Sequence, residues 1–338
     1  TKGVIMIKRN RVTIKDVAMQ ADVSIATVSK IINGKDKHIS EETRQRVFEV
    51  IENLEYIPNS MAKGLKEAST RTIGLVIPDI GHAFPEMAKG AQDEAFVHGY
   101  TMFFCSTDNN SIQEEKFLNI LKSKMVDGII YVSSDYETSK RLLWDISIPI
   151  VAVDRKIDKN QNMGSVGIDN FSAMRDVAKY IVNKGCKKIA YITSDVLMSP
   201  SKERYEGFIT GLKEMGIDFD KKLHYLGDFS VETGNIGAMV LLQRDPEIDC
   251  IVCGNDSIAI GAISTCQKLG KEIPGDIKII GFDDIYISKY LNPELTTVRQ
   301  DAYEMGKQAA SMLIGYIENK IPLTDMILPY EIMERSTV

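Results

Sequence analysis

Long apolar runs are missing. No stretch of the 338 residues reaches the roughly 18–20 consecutive apolar residues that cross a bilayer. The short apolar run Val4–Ile7 is no signal-peptide core, so cytoplasmic residence with no membrane partner is the expectation. Cysteine is sparse, odd in number and scattered: Cys105, Cys186, Cys250, Cys253 and Cys266. Such a set argues against a disulfide framework. Cys250 and Cys253 form a C-x-x-C. They sit inside an apolar run, without a second such pair or a nearby histidine, and read as buried strand rather than a metal or redox pair. The signatures G-x-x-x-x-G-K-[ST], G-x-G-x-x-G after a strand, H-E-x-x-H and G-x-S-x-G are all absent. No catalytic residue, metal or cofactor is expected.

What is present is an ordinary globular balance, 44% hydrophobic and 26% charged. The length suits two or three domains. The net charge of −6 is unevenly spread. Residues 1–68 carry twelve basic and nine acidic side chains, the remainder twenty-nine and thirty-eight. A small basic segment on an acidic body fits a local phosphate-binding module.

The first sixty residues give helix signals. Ile14, Val17, Ala18 and Ala21 follow Thr13 at helical spacing. Asp22, Val23 and Ser24 break that helix, and Ser24 can cap a second one over Ile25–Ile32, with Val28, Ile31 and Ile32 facing in. Asn33 and Gly34 stop it. Ser40 opens a third helix, with Glu41 and Glu42 in its first turn and Val47, Ile51 and Leu54 on its inner face. A short stretch around Asn59–Lys66 would be marginal as an isolated helix, since Gly64 weakens it. From Arg71 the pattern changes. Apolar strands at 72–78, 101–105, 128–132, 148–153, 188–193, 250–253 and 277–281 alternate with helical stretches, which predicts parallel sheets and, at this length, two lobes.

Two helices joined by a tight turn, the second apolar on one face and polar on the other, can lie in a duplex groove. Ile25, Ala26, Ser29 and Lys30 face out near the start of the second helix, offering donors and methyl groups to base edges. Ser24 and Thr27 can bond phosphates. On composition alone a small helical protein-interaction domain fits equally well.

The ordered set Thr13, Ile14, Lys15, Asp16, Val17 and Ala18; Val23, Ser24, Thr27, Val28 and Ser29; Asn33 and Gly34; Ser40, Thr43, Arg44 and Val47; and Tyr56, Pro58, Asn59, Ala62 and Leu65 resembles the headpiece of the LacI/GalR family of bacterial repressors. The resemblance continues to about Arg335. It implies an α/β protein: a small all-α helix-turn-helix headpiece plus a two-lobed periplasmic-binding-protein-like core with parallel sheets. The implied domains are residues 1–57 (headpiece), 58–70 (hinge helix and linker) and 71–338 (effector binding and dimerisation). It implies DNA contacts from Thr13, Lys15, Ser24, Ile25, Ala26, Thr27, Ser29, Lys30, Asn33, Asn59, Ala62, Lys63 and Leu65, the last as a minor-groove wedge. Passages between the lobes would fall near residues 169, 300 and 329.

The same resemblance places effector contacts at Phe84, Asp154, Arg155, Arg204, Phe229, Asn255 and Asp283. Most follow predicted strands, where open α/β sheets bind ligands, and Arg204 is read as opening a helix. Guanidinium, amide and carboxylate groups hold paired hydroxyls while an aromatic ring covers a sugar face, so a sugar or sugar derivative is the expected small-molecule effector. Met198 and Pro200 stand where purine-binding members carry polar contacts, which disfavours a purine. The partners implied are double-stranded DNA with a palindromic operator and a second copy of the chain. Two other readings remain: a sugar-binding receptor without DNA contact, and a regulator controlled by a protein coregulator.

Overall fold

The computed structural model describes residues 12–57, 69–81, 83–134, 136–144, 146–155, 157, 163–194 and 199–338. The chain divides into two compact units, Thr1–Thr70 and Arg71–Val338.

In the first unit lie α1 (Ile14–Gln20), α2 (Ile25–Ile32) and α3 (Glu41–Asn53). Each helix start has a local cause. The Asp16 carboxylate accepts the Thr13 backbone N–H and hydroxyl, both at 2.7 Å. The Ser24 hydroxyl accepts the Thr27 N–H at 3.1 Å, and Ser40 accepts that of Thr43 at 3.3 Å. First-turn N–H groups have no partner inside a helix, so these caps satisfy them. Asp22, with φ 51°, makes the turn between α1 and α2. Val17, Ala18, Ala21, Val28, Ile31, Val47, Val50 and Tyr56 close a small core. Two details differ from the sequence expectation. Ile32 is only half-buried, and Val50 is buried on α3 while Ile51 and Leu54 pack half-exposed at the core's edge. Val50 stands three residues from Val47 and so shares its face.

The second unit holds two six-stranded sheets. The first contains β1 (Thr72–Ile77), β2 (Thr101–Ser106), β3 (Gly128–Tyr131), β4 (Ile150–Val153), β5 (Met163–Ile168) and β11 (Asp325–Leu328), in the order β11-β5-β4-β3-β1-β2. The second contains β6 (Ile189–Ser194), β7 (His224–Gly227), β8 (Cys250–Cys253), β9 (Lys278–Asp283), β10 (Thr296–Gln300) and β12 (Tyr330–Met333), in the order β12-β10-β9-β8-β6-β7. Central strands such as β3, β4, β6 and β8 are buried along their whole length, as strands covered on both faces must be. The Cys250–Cys253 strand is one of them. The pairing is parallel except between β10 and β12. That departure from wholly parallel sheets has a topological reason: the chain runs from β11 straight into β12 through Pro329, with no crossover helix to reverse it.

The helices are α4 (Phe84–Val97), α5 (Ser111–Ser123), α6 (Tyr136–Leu143), α7 (Asn170–Asn183), α8 (Ser199–Glu214), α9 (Val231–Arg244), α10 (Asp256–Lys268) and α11 (Ala302–Asn319). After β5 the chain enters the second lobe, where α7 packs on α8. After β10 it returns, and α11 packs on α4. From β11 it crosses again into β12. The three passages fall at Asp169, at Gln300–Asp301 and at Pro329.

The α4–α11 contact is backbone against backbone. A Cβ on Gly90 would stand 2.0 Å from the Tyr303 carbonyl oxygen, and one on Gly306 would stand 1.9 Å from that of Met87. No side chain fits at either position. Gly306→Ala is therefore expected to destabilise the chain by about 1–3 kcal/mol through overpacking. Gly315→Ala in the same helix meets only the Ile321 side chain, at 3.5 Å and beyond, and should gain up to about 1 kcal/mol of helix propensity. Denaturant titration of the two variants separates them, and coincident midpoints would refute the close crossing.

Candidate nucleic-acid interface and effector cavity

In the first unit α2 presents Ile25, Ala26 and Lys30 to solvent, with Ser29 half-exposed, while Val28 and Ile31 are buried behind them. An α-helix with its side chains is about 10–12 Å across, of a size to enter a major groove about 12 Å wide. Thr13 and Lys15 are exposed at the start of α1. The hydroxyls of Ser24 and Thr27 lie 2.9 Å apart at the exposed start of α2. Asn33 ends α2, and its side-chain N–H donates to the Ser29 carbonyl at 2.7 Å, so that donor is committed to the helix. Asn59, Ala62, Lys63 and Leu65 lie outside the described residues.

In the second unit both lobes line one cavity of about 530 Å3. Phe84, Asp154, Arg155, Arg204, Phe229, Asn255 and Asp283 all border it. From the first lobe, Phe84 starts α4, and the Arg155 guanidinium lies 5.8 Å from its ring centre. Arg155 is buried, donates to the Ser133 carbonyl and stands 3.9 Å from the Asp154 carboxylate. Burial pulls its pKa down, while Asp154 and Asp79 favour the charged form. Asp154 follows β4 with φ 63°.

From the second lobe comes Arg204. It does not open its helix. α8 begins at Ser199, with Pro200 in its first turn, where a missing N–H costs nothing, so Arg204 projects from the second turn. It is buried, donates through Nε to Asn170 Oδ1 at 2.8 Å and through a terminal nitrogen to the Gly254 carbonyl at 2.9 Å. The guanidinium stacks 3.6 Å over the Phe282 ring and lies 3.7 Å from the Asp283 carboxylate. Asp283 ends β9 with φ 109°. Burial pushes its pKa up to about 8, with the Arg204 charge working against that rise. Asn255 caps α10 by accepting the Ile258 N–H at 2.9 Å.

Asp79, Asp228 and Gln300 are among the wall residues that escaped the sequence reading. Asp79 follows β1 and Asp228 follows β7. The strand-end rule that finds Asp154 would have found both had it been applied to every strand. Gln300 ends β10, a strand with too little apolar character to stand out. Its Nε2 donates to Asp283 Oδ1 at 2.6 Å. The hydroxyls of Ser230 and Thr233 hold the Asp228 carboxyl below its ordinary range. Pro200 borders the cavity, whereas Met198 lies outside the described residues. Among the described residues no cluster of three or more metal-ligating side chains occurs, and no helix is long and apolar enough to cross a membrane.

The family of bacterial regulatory proteins of the lacI type matches residues 13–59, and the periplasmic binding proteins and sugar binding domain of the LacI family match residues 70–329. The transcriptional regulator RegA of Clostridium acetobutylicum is 38% identical over 331 residues, 96% of this chain and 98% of its own. The ribose operon repressor of Halalkalibacterium halodurans is 37% identical over 311 residues, 91% of each chain. Among solved structures, a complex of the transcriptional regulator CelR with cellobiose covers 97% of this chain and 100% of its own, with a TM-score of 0.74 and 25% identity. A headpiece of short helices with a tight turn between the first two, two α/β lobes around one cavity, and kinship along almost the full length have one common meaning: the chain belongs to the LacI family of DNA-binding transcriptional regulators.

Proposed function

We propose that this regulator is a cytoplasmic, homodimeric repressor without catalytic activity. Its hold on a palindromic operator is set by a sugar or sugar derivative bound between the lobes of residues 71–338. The observation that carries the effector reading is the wall of the cavity. Two guanidiniums, several carboxylates and the Asn255 amide surround it, with Phe84 and Phe229 among them. Such groups hold paired hydroxyls while a ring covers an apolar sugar face. That relatives include a ribose operon repressor and a regulator bound to cellobiose supports the same class.

The proposed division of labour is residues 1–57 as headpiece, 58–70 as hinge and linker, and 71–338 as sensor and dimerisation domain. In the headpiece Ile25, Ala26, Ser29 and Lys30 read bases. Thr13, Lys15, Ser24, Thr27 and Asn33 contact the backbone, and Asn59, Ala62, Lys63 and Leu65 act from the hinge. A ligand that prefers one lobe arrangement shifts the equilibrium toward it. In a dimer that shift changes how two headpieces meet two half-sites about one helical turn apart.

Ser29→Ala should cost on the order of 1–3 kcal/mol on the preferred duplex and leave affinity for random DNA unchanged. Selection from a random duplex pool followed by gel shifts measures both, and equal losses on the two would refute base reading at this position. Arg204→Ala should abolish the thermal shift produced by a binding sugar while preserving gel shifts on DNA, so a retained sugar response would remove Arg204 from the site. Asp283 carries a pH dependence of definite sign. Its folded value of about 8 lies above the ordinary ~3.9. A group raised on folding contributes stability below its unfolded value and loses it as pH climbs through the folded one. Asp256, pushed up to about 6 by burial, acts in the same direction over a narrower range. Asp283→Asn should therefore flatten the fall in Tm between about pH 5 and 8 relative to the parent chain, and parallel Tm profiles would contradict this.

A further inference from the structure

We infer that the effector is an uncharged, hydroxyl-rich sugar and that the cavity rejects the phosphorylated and carboxylated forms of that sugar. The inference rests on the sugar reading above and narrows it.

Each lobe sets a carboxyl group beside its own guanidinium. In the first lobe Arg155 is 3.9 Å from Asp154, and in the second Arg204 is 3.7 Å from Asp283. Both guanidiniums already donate to the protein, Arg155 to Ser133 and Arg204 to Asn170 and Gly254. Asp79 and Asp228 add two further carboxylates to the wall, and no other arginine or lysine borders the cavity among the described residues. Even with Asp283 protonated, the carboxyl groups of Asp79, Asp154 and Asp228 outnumber the two guanidiniums among the described residues, so a bound anion would meet an excess of negative charge, and pairing with Arg155 would displace Asp154 into a buried site without its partner. Two of the helix starts at the wall are already capped by side chains. The Ser230 hydroxyl accepts the Thr233 N–H of α9, and Asn255 accepts the Ile258 N–H of α10.

A second observation points the same way. Two buried side-chain atoms of the cavity wall lack a partner among the described residues: Asp154 Oδ1 and Gln300 Oε1. Gln300 is at least nine-tenths buried. Both atoms are acceptors. A buried acceptor is costly until a donor reaches it, and a sugar hydroxyl is such a donor, whereas an ionised phosphate or carboxylate brings only more acceptors. The lobes also set like against like. Asp154 disfavours ionisation of Asp283, and Arg204 that of Arg155. A neutral polyol donates to the carboxylates and accepts from the guanidiniums at the same time, which a single anionic group does not.

The test is calorimetric titration of the full-length regulator with matched probes. Neutral pentoses, hexoses and disaccharides, ribose, glucose and cellobiose among them, are set against ribose 5-phosphate, glucose 6-phosphate and glucuronate. At least one neutral sugar should bind, with its phosphate or uronate at least tenfold weaker. A charged form that binds as tightly as its parent overturns the inference and leaves the sugar reading standing. If no neutral or charged sugar binds, the sugar reading falls and the inference with it. Asp154→Asn leaves Arg155 without its carboxylate and should narrow the neutral-to-phosphate ratio severalfold. An unchanged ratio in that variant would overturn the electrostatic cause.

Discussion

Arg204 ties together two of the three strands of chain that pass between the lobes. Its Nε bonds Asn170, the first residue after the passage at Asp169, and its charge faces Asp283, which is bonded in turn by Gln300 at the second passage. The same guanidinium stacks on Phe282 in the sheet that carries Asp283. One buried cation therefore fixes where the backbone leaves one sheet and enters the other, and the cavity lies where those passages meet. A molecule that competes for its remaining hydrogen bonds acts directly on the joint between the lobes. In a two-state protein such a contact biases the arrangement of whole lobes without long-range deformation.

The polar joint is expensive. Asp283 is buried at a positive φ, and Asp154 on the facing lobe has the same backbone sign. Backbone of this kind in non-glycine residues persists only where the surroundings impose it, and it gathers at binding sites. The cost is carried by apolar layers on either side. Alanines, valines and leucines of α7, α8 and α11 pack against strands that are buried on both faces. The glycine crossing of α4 and α11 belongs to the same scheme. It brings Phe84 and Met87 beside Ala302 and Met305, so one wall of the cavity is set by how closely two helices touch.

Much of this was legible in the residues. Ser24 and Ser40 announce helix starts because capping is a local act between neighbours. The bounds of α2 follow from its cap, its apolar spacing and the Asn33–Gly34 stop. Buried strands such as β3, β4 and β8 show as apolar runs. What escaped depends on partners distant in sequence. β10, β11 and β12 are short and partly polar, because each pairs at or near a sheet edge or a passage. Gln300 has significance only beside Asp283, and that proximity is a product of the pairing of β9 with β10. The place of Arg204 within α8 depended on where the helix begins, and Ser199–Pro200 is a weaker signal than the match around Arg204 itself. Asp79 and Asp228 stand just past strand ends, so their place in the wall was legible wherever the strand itself was.

The interleaved topology also governs the order in which the chain can mature during synthesis. The first sheet needs β11 at its edge and α11 against α4, although both come after most of the second lobe. The second sheet needs β12, which follows later still. Neither lobe is one continuous stretch, so neither can finish on the ribosome before residues beyond 320 have emerged. Pairings this distant in sequence are slow to form, and half-built sheets expose apolar edges to aggregation while they wait. A nascent chain of this architecture therefore depends on residues 325–333, and a stop before them leaves two incomplete lobes rather than one intact and one missing.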